Sequence, residues 1–251
     1  MAGLATHSGV ASNMSIALSL GGYTARIGGD AATQAAAQGL RALCFRAGDR
    51  DDDAFDAVSS HGIVTRKSGQ LVLAFRLRLL TPHDLPQSYT GTFYDLSPLA
   101  RTAGPFLELG RLCHKPGAAD PNAARLAWAA IGQLADRHNV SMLIGCSSFP
   151  GADPGQHTAL LAVLRKRYLG PPELRPRRKS DLAVVLPNAP LTRATLPNLL
   201  RLYLNMGGWV GDHAVRDPDL DTLHVFTGLA VSEIPEARKQ RLRSLAMAAA
   251  P

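Results

Sequence analysis

Apolar residues recur along this chain at two spacings, one of two residues and one of three to four, and their alternation predicts an α/β fold. Leu71, Leu73, Phe75, Leu77 and Leu79 repeat every second residue, with Val72, Ala74, Arg76 and Arg78 between them. That pattern predicts a half-buried antiparallel strand over Leu71–Leu80, joined through Ser68-Gly69 to a partner strand over His61–Lys67. Further strands are predicted over Tyr23–Ile27, Thr90–Leu96, Phe106–Cys113, Val140–Cys146 and Thr222–Val231. Helical spacing is clearest at Leu196, Leu199, Leu200, Tyr203 and Leu204, and it also marks Gly155–Leu169 through Leu160, Leu161, Leu164 and Tyr168. An Ala/Gln-rich helix over Ala31–Ala47 stops at Gly48, and another opens at Pro121 and runs to His138. A βα unit, a meander, then βαβα and a closing α/β segment suit a mixed sheet with helices on both faces.

Met1–Gly22 is rich in Ala, Ser and Gly and reads as a flexible leader, with Met14 an alternative start. Residues 23–235 read as one domain and residues 236–251 as a basic, Ala-rich tail. With 46% hydrophobic and 19% charged residues over 251 positions, the chain can bury a sizeable core, which excludes wholesale disorder. Its formal net charge of +7 calls for an acidic partner or surface: nucleic acid, anionic lipid or an acidic carrier protein. The first residues lack the Lys or Arg that opens a signal peptide, and no apolar run reaches the roughly 18 residues of a membrane span. A cytoplasmic location is expected, with a peripheral place on the inner membrane as the alternative. Cys44, Cys113 and Cys146 are far apart in apolar runs, so reduced thiols are expected and neither a disulfide framework nor a CxxC metal site is.

Glu108 lies in the otherwise apolar run Phe106-Leu107-Glu108-Leu109-Gly110-Arg111, on one face with Phe106 and Gly110, while Arg111 points to the other. A carboxylate there is costly to bury unless it is paired or working. It reads either as a salt-bridge partner of Arg76, Arg78 or Arg111 or as a general base. The acidic stretch from Asp49 through Asp53 to Asp56 is, on its own, a solvated loop, and His61 at a strand start a structural residue. Arg76 and Arg78 form either a solvent-facing stripe or a clamp for a substrate carboxylate, which a guanidinium grips bidentately. The small residues of Ile144-Gly145-Cys146-Ser147-Ser148-Phe149-Pro150-Gly151 imply a tight turn after a buried strand. Arg165, Lys166, Arg167, Arg175, Arg177, Arg178 and Lys179, interrupted by Glu173, make either a solvated face or a dock for an acidic partner. Tyr168 is the single aromatic in that cluster and no recognition motif accompanies it, so nucleic acid is not an expected partner. Arg238, Lys239, Arg241 and Arg243 can touch anionic lipid, though without a strong apolar face beside them.

The strand Leu107-Glu108-Leu109-Gly110-Arg111, the segment Asp53-Ala54-Phe55-Asp56 with His61, and the run Leu196-Pro197-Asn198-Leu199-Leu200 with Tyr203-Leu204 and Gly207-Gly208-Trp209 resemble one known family. It is the L-ornithine N(alpha)-acyltransferase family of aminolipid biosynthesis, related to the acyl-homoserine-lactone synthases. The resemblance spans about Tyr23 to Pro235. It implies a GNAT-like fold and transfer of a 3-hydroxyacyl chain from acyl carrier protein to the α-amine of L-ornithine, giving lyso-ornithine lipid. Glu108 becomes the base that takes the amine proton. Asp53, Phe55, Asp56 and His61 border the amine pocket, and Arg76 or Arg78 holds the substrate carboxylate, with Arg111 and His224 in the same substrate-binding set. In such folds the central parallel strands splay and admit the pantetheine arm, which places Gly110, Gly145, Cys146, Ser147, Ser148 and Phe149 along the acyl pocket.

Ala118 to Arg125 lacks the Gly-rich pyrophosphate loop usual in GNAT enzymes, so acyl carrier protein with its 4′-phosphopantetheine is the expected donor, and the basic cluster its dock. No metal or redox cofactor is expected. His224 stands where many relatives have an Asp, which opens glutamine or another amino acid as the acceptor. Two other readings stay open: an acyl-homoserine-lactone synthase using S-adenosylmethionine, and a non-catalytic basic adaptor for carrier protein or lipid.

Overall fold

The computed structural model describes residues 14–250. In chain order its elements are β1 (Ile16–Leu20), β2 (Tyr23–Gly28), α1 (Ala31–Phe45), β3 (Ser60–Arg66), β4 (Leu71–Leu80), α2 (Tyr89–Phe93), β5 (Tyr94–Asp95), β6 (Phe106–His114), α3 (Pro121–Arg137), β7 (Met142–Pro150), α4 (Thr158–Arg167), β8 (Arg177–Arg178), β9 (Ala183–Val185), α5 (Asn198–Asn205), β10 (Trp209–Asp217), β11 (Thr222–Ala230) and α6 (Glu236–Ala249). They group into two compact units. The first comprises residues up to Arg78, Leu109–Asn139 and those from Ala237 on; the second comprises Leu79–Glu108 and Val140–Glu236.

In the first unit β1 to β4 form an antiparallel meander, with Ile16 opposite Ile27, Ile27 opposite Gly62 and Gly62 opposite Phe75. Two helices pack on it. α1 begins where the Asp30 carboxylate accepts the Thr33 amide at 2.9 Å, and its Ala37 and Leu40 join Ile63, Ala74 and Cys113 in one apolar cluster. α3 begins with Pro121 in its first turn, behind Asp120, which accepts the Asn122 amide at 2.8 Å. Its Leu126, Ile131 and Leu134 are buried, each worth about 1.5–3 kcal/mol of burial free energy. Small residues bring α6 close: Leu242 lies against Gly132, Ala246 and Ala249 are buried, and Arg243 grips Asp136 at 2.8 and 3.0 Å.

Three expectations for this unit are corrected. Residues 1–13 of the expected leader lie outside the described residues, but Ile16–Leu20 is a strand, with Ile16 and Leu18 buried and Ala17 and Ser19 exposed. Its period of two is disguised by the small residues between the apolar ones. The expected tail is largely helix α6, and only Pro251 of it lies outside the described residues. β4 is also more than half-buried: Val72, Ala74 and Arg76 are covered as fully as Leu73, Phe75 and Leu77.

In the second unit Phe106, Leu107 and Glu108 of β6 run parallel to Met142, Leu143 and Ile144 of β7. β7 pairs antiparallel with β11 along its whole length, from Met142 opposite Ala230 to Pro150 opposite Thr222, and the ladder continues to β10 and β9. Alternation sorts side chains to two faces. Phe149, Leu223, Val225, Val210 and Ala214 pack under α4 and α5; Ile144, Phe226 and Val215 pack with Leu85, Tyr94, Leu96 and Leu99. β5 and β8 form a separate two-stranded ladder.

Three departures here bear on the site. Thr90–Leu96, expected as one strand, is a helical turn followed by a two-residue strand, because Ser88 Oγ accepts the Gly91 amide at 2.9 Å and closes the turn. Ser147 and Ser148, expected in a tight turn, stay extended because β11 pairs with them. β10 was not expected, since Gly211, Asp212 and His213 break its apolar pattern where its register slips between Val210 and Ala214.

A Cβ on Gly62 would sit 2.1 Å from the Phe75 ring, closer than any side-chain carbon can approach. Gly62→Ala should therefore destabilise the chain by about 1–3 kcal/mol, read from the midpoint of urea unfolding.

Candidate active site

Glu108 stands on the last rung of the parallel β6–β7 ladder, opposite Ile144, and is 6% exposed. A carboxylate this deep needs hydrogen-bond donors. They come from the first turn of α2, whose leading amides have no partner inside the helix. The Thr90 amide donates to Oε1 at 2.7 Å and the Tyr89 amide to Oε2 at 3.3 Å. Each oxygen has a second lone pair, so the group keeps acceptor capacity for a proton on a substrate. Among the described residues its donors are backbone amides, not the arginines the sequence offered as salt-bridge partners.

The same turn reaches the neighbouring strand. Thr90 Oγ1 lies 4.0 Å from Cys146 Sγ, two residues past Ile144 on β7. Among the described residues of this unit, Gly145 to Pro150 continue β7 beyond the parallel ladder and pair only with β11, which leaves their other edge without a strand there. Gly145, Cys146, Ser147 and Ser148 lie along that stretch; Phe149 is 2% exposed, and its side chain belongs to the core under α4. The far end of α2 is held as well, by a hydrogen bond from Lys179 Nζ to the Gly91 carbonyl.

Behind α2 lies a buried aromatic and imidazole group. The Tyr94 hydroxyl donates to the His224 carbonyl at 3.0 Å and sits 3.1 Å from His224 Nδ1. Phe93 meets the His224 ring edge-on at 4.7 Å, and His213, hydrogen-bonded to Asp212 at 2.8 Å, lies 5.1 Å from the Tyr94 ring. Burial, aided by the charge of His213, pushes the His224 pKa down to about 3. His224 is neutral near pH 7.

In the first unit Asp51 and Asp56 of the acidic segment are buried and Asp53 is half-buried, while Asp49 and Asp52 stay exposed. Arg41 of α1 donates to Asp51 at 2.7 Å and forks onto Asp56 at 2.7 and 3.2 Å. Arg76 of β4 bridges Asp53 and Asp56 at 2.5 and 2.7 Å, with Phe55 against its guanidinium at 5.7 Å. Arg111, in the left-handed backbone region at φ 51°, reaches Asp51 at 3.4 Å and Asp53 at 3.3 Å. His61 Nε2 lies 3.3 Å from the Asp56 carbonyl, and burial pulls its pKa below the ordinary imidazole value. Burial opposes the charge on Asp56, but hydrogen bonds from Arg41, Gln38 and Arg76 outweigh it and hold the carboxyl well below the usual range.

The structure thus joins Asp53, Phe55, Asp56, His61, Arg76 and Arg111 in one network of paired charges, while Gly110 and Arg78 are half-buried strand residues. Glu108, Cys146 and His224 belong to the second unit. The basic cluster splits: Arg165 and Arg175 donate to backbone carbonyls, whereas Lys166, Arg167, Arg177 and Arg178 are exposed. Sequence reasoning passed over Arg41, Asp51, Thr90 and Tyr94. Arg41 was findable, since it falls on the buried stripe of α1 with Ala37 and Leu40; the Thr90 contribution is a backbone amide, which no side-chain pattern reveals.

Comparison with known proteins defines the class. A family model described as an acetyltransferase (GNAT) domain matches residues 36–129. L-ornithine N(alpha)-acyltransferase of Rhodobacter capsulatus is 30% identical over 200 residues, 75% of this chain and 77% of that protein. The Agrobacterium fabrum protein of the same name is 33% identical over 201 residues, covering 74% and 69%. The chain therefore belongs to the GNAT-fold acyltransferases and, within them, to the family of these L-ornithine N(alpha)-acyltransferases. Among solved structures, FeeM, an N-acyl amino acid synthase from uncultured soil microbes, aligns at a TM-score of 0.45 and 11% identity over 88% of this chain and 98% of its own.

Asp56→Asn would leave Arg41 and Arg76 facing an uncharged amide and should cost about 3–5 kcal/mol in urea unfolding. Acid acts in two stages. His61 and His224 are held neutral by burial, so their contribution is complete above about pH 6.5 and falls as unfolded imidazoles gain protons that the folded ones refuse. Asp56, with its lowered pKa, adds a second loss below about pH 4. The Tm should decline from about pH 6.5 downward, and His224→Asn should flatten that upper limb.

Proposed function

We propose that this protein transfers a 3-hydroxyacyl chain from acyl carrier protein to the α-amine of L-ornithine, forming lyso-ornithine lipid. The observation that carries the reading is the Glu108 carboxylate, buried at the end of the parallel ladder and fixed by the Tyr89 and Thr90 amides beside Cys146. An α-amine has a pKa near 8 and is mostly protonated at pH 7, whereas attack on a thioester needs the neutral form. Glu108 takes a proton from the α-ammonium, and the neutral nitrogen adds to the thioester carbonyl. As the C–S bond breaks the second nitrogen proton passes to the departing sulfur, which leaves as the pantetheine thiol, while the proton on Glu108 is lost to solvent. A base so placed is worth about 10²–10⁴ in rate.

The β7 edge from Gly145 to Ser148 would receive the pantetheine amides and bring a backbone N–H to the thioester oxygen. Arg76 and Arg78 are the candidates for the substrate carboxylate. Asp53 and Asp56, already engaged by arginines, would shape the amine pocket more than they would hold a free charge. The reaction as drawn needs no metal or redox cofactor, and the exposed basic residues Lys166, Arg167, Arg177 and Arg178 would steer the acidic carrier. The site of action would be cytoplasmic, at the inner face of the membrane where the product is used; among the described residues no helix is long and apolar enough to cross a membrane.

His224 favours a second acceptor. A buried imidazole with a pKa near 3 offers no negative charge to a side-chain ammonium, which points to a neutral amino acid such as glutamine. Purified protein given 3-hydroxyacyl carrier protein and a panel of amino acids, read by mass spectrometry, separates ornithine from glutamine; a lactone from S-adenosylmethionine, or no product at all, would refute both. Glu108→Gln should lower kcat about 10²–10⁴-fold while the far-ultraviolet circular dichroism stays that of the wild type. Full turnover by this variant would remove Glu108 as the base.

A further inference from the structure

Within the second unit, Pro98 and Arg101, residues of the 172–178 segment and Asp212 of β10 line an open cavity of about 490 Å³. Arg101, Arg175, Arg177 and Arg178 line it, with Glu173 and Asp212 as the only carboxylates among the described residues, so four positive charges face two negative ones. Asp212 is further engaged by the His213 ring at 2.8 Å. Among the described residues none of the four guanidiniums has a carboxylate partner. Arg175 is instead aimed by its Nε, which donates to the Gly170 carbonyl at 2.6 Å. Arg177 and Arg178 are fixed by the ladder that sets them opposite Asp95 and Tyr94.

Like charges gathered in a concavity repel one another, and a bound anion relieves that repulsion while the cavity walls focus the field on it. Guanidinium forks match phosphate oxygens, and the volume is of small-molecule size, larger than inorganic phosphate alone requires. The cavity is also tied to the site. Tyr94, opposite Arg178, holds His224, and Lys179, next in the chain, holds the end of α2 whose first amides hold Glu108.

We propose that this cavity binds the phosphate of the donor's 4′-phosphopantetheine arm, which makes Arg101 a binding residue that the sequence did not single out. The assignment rests on the carrier-protein reading above and adds to it the place where the arm's charged end is held. The full chain is titrated with free 4′-phosphopantetheine and with pantetheine by calorimetry. Wild type should bind the phosphorylated form roughly tenfold more tightly, the worth of one charge-assisted hydrogen-bonded pair. Arg101→Gln and Arg177→Gln, both at exposed positions, should erase most of that preference. Arg125→Gln, an exposed substitution on α3, should keep it. Equal binding of the two compounds by wild type, or an undiminished preference in Arg101→Gln, overturns the proposal. So does tighter binding of glycerol 3-phosphate, which would assign the cavity to a lipid headgroup. Turnover without the phosphate preference defeats the cavity alone, and the preference without turnover on any amine defeats the transfer reading alone.

Discussion

Two sets of unsatisfied polar atoms meet at Glu108, and each resolves the other. A buried carboxylate needs donors, and the first turn of a short helix has amides with no acceptor. Joining them lets a charged residue stand on the last rung of a parallel ladder and lets five residues hold a helical turn that is too short to persist alone. The surrounding chain is arranged around that joint: Ser88 closes the next amide, Lys179 ties the far carbonyl, and β5 passes directly to the β8 ladder. A proposed general base is thereby held in one orientation by backbone, which has little freedom to drift.

The first unit solves a different problem by related means. The segment from Asp51 to Asp56 has no strand partner among the described residues, yet Asp51 and Asp56 are buried. Arginines from α1, β4 and β6 converge on it, so one irregular stretch is pinned to three regular elements. Removing one member of such a cluster is far worse than never having built it, because the partners remain desolvated. The acidic run owes its position to this neutralisation.

How much of this was legible in the sequence follows from where the information lies. β4, α3 and β11 were readable because their apolar side chains carry the period themselves. β1 was lost because alanine and serine blur the alternation of Ile16 and Leu18, and β10 because a register shift at Gly211 to His213 breaks it. The segment Thr90–Leu96 alternates convincingly, but its conformation is decided by Ser88 and Glu108, one of them distant in sequence. At the site, Glu108 stood out as a lone carboxylate in an apolar run, and Arg76, Asp53 and Asp56 were singled out as candidate ligands. Their mutual pairing depends on long-range geometry that no local spacing encodes.

The chain has two tryptophans, and the fold gives one to each compact unit. Trp128 is 5% exposed on α3 of the first, and Trp209 is 8% exposed beside Phe226 in the second, with ring centroids 5.3 Å apart. Each indole is therefore a built-in optical probe of its own half. With one or the other replaced by phenylalanine, fluorescence becomes a single-channel record of melting, and the two halves can be watched coming apart together or in turn.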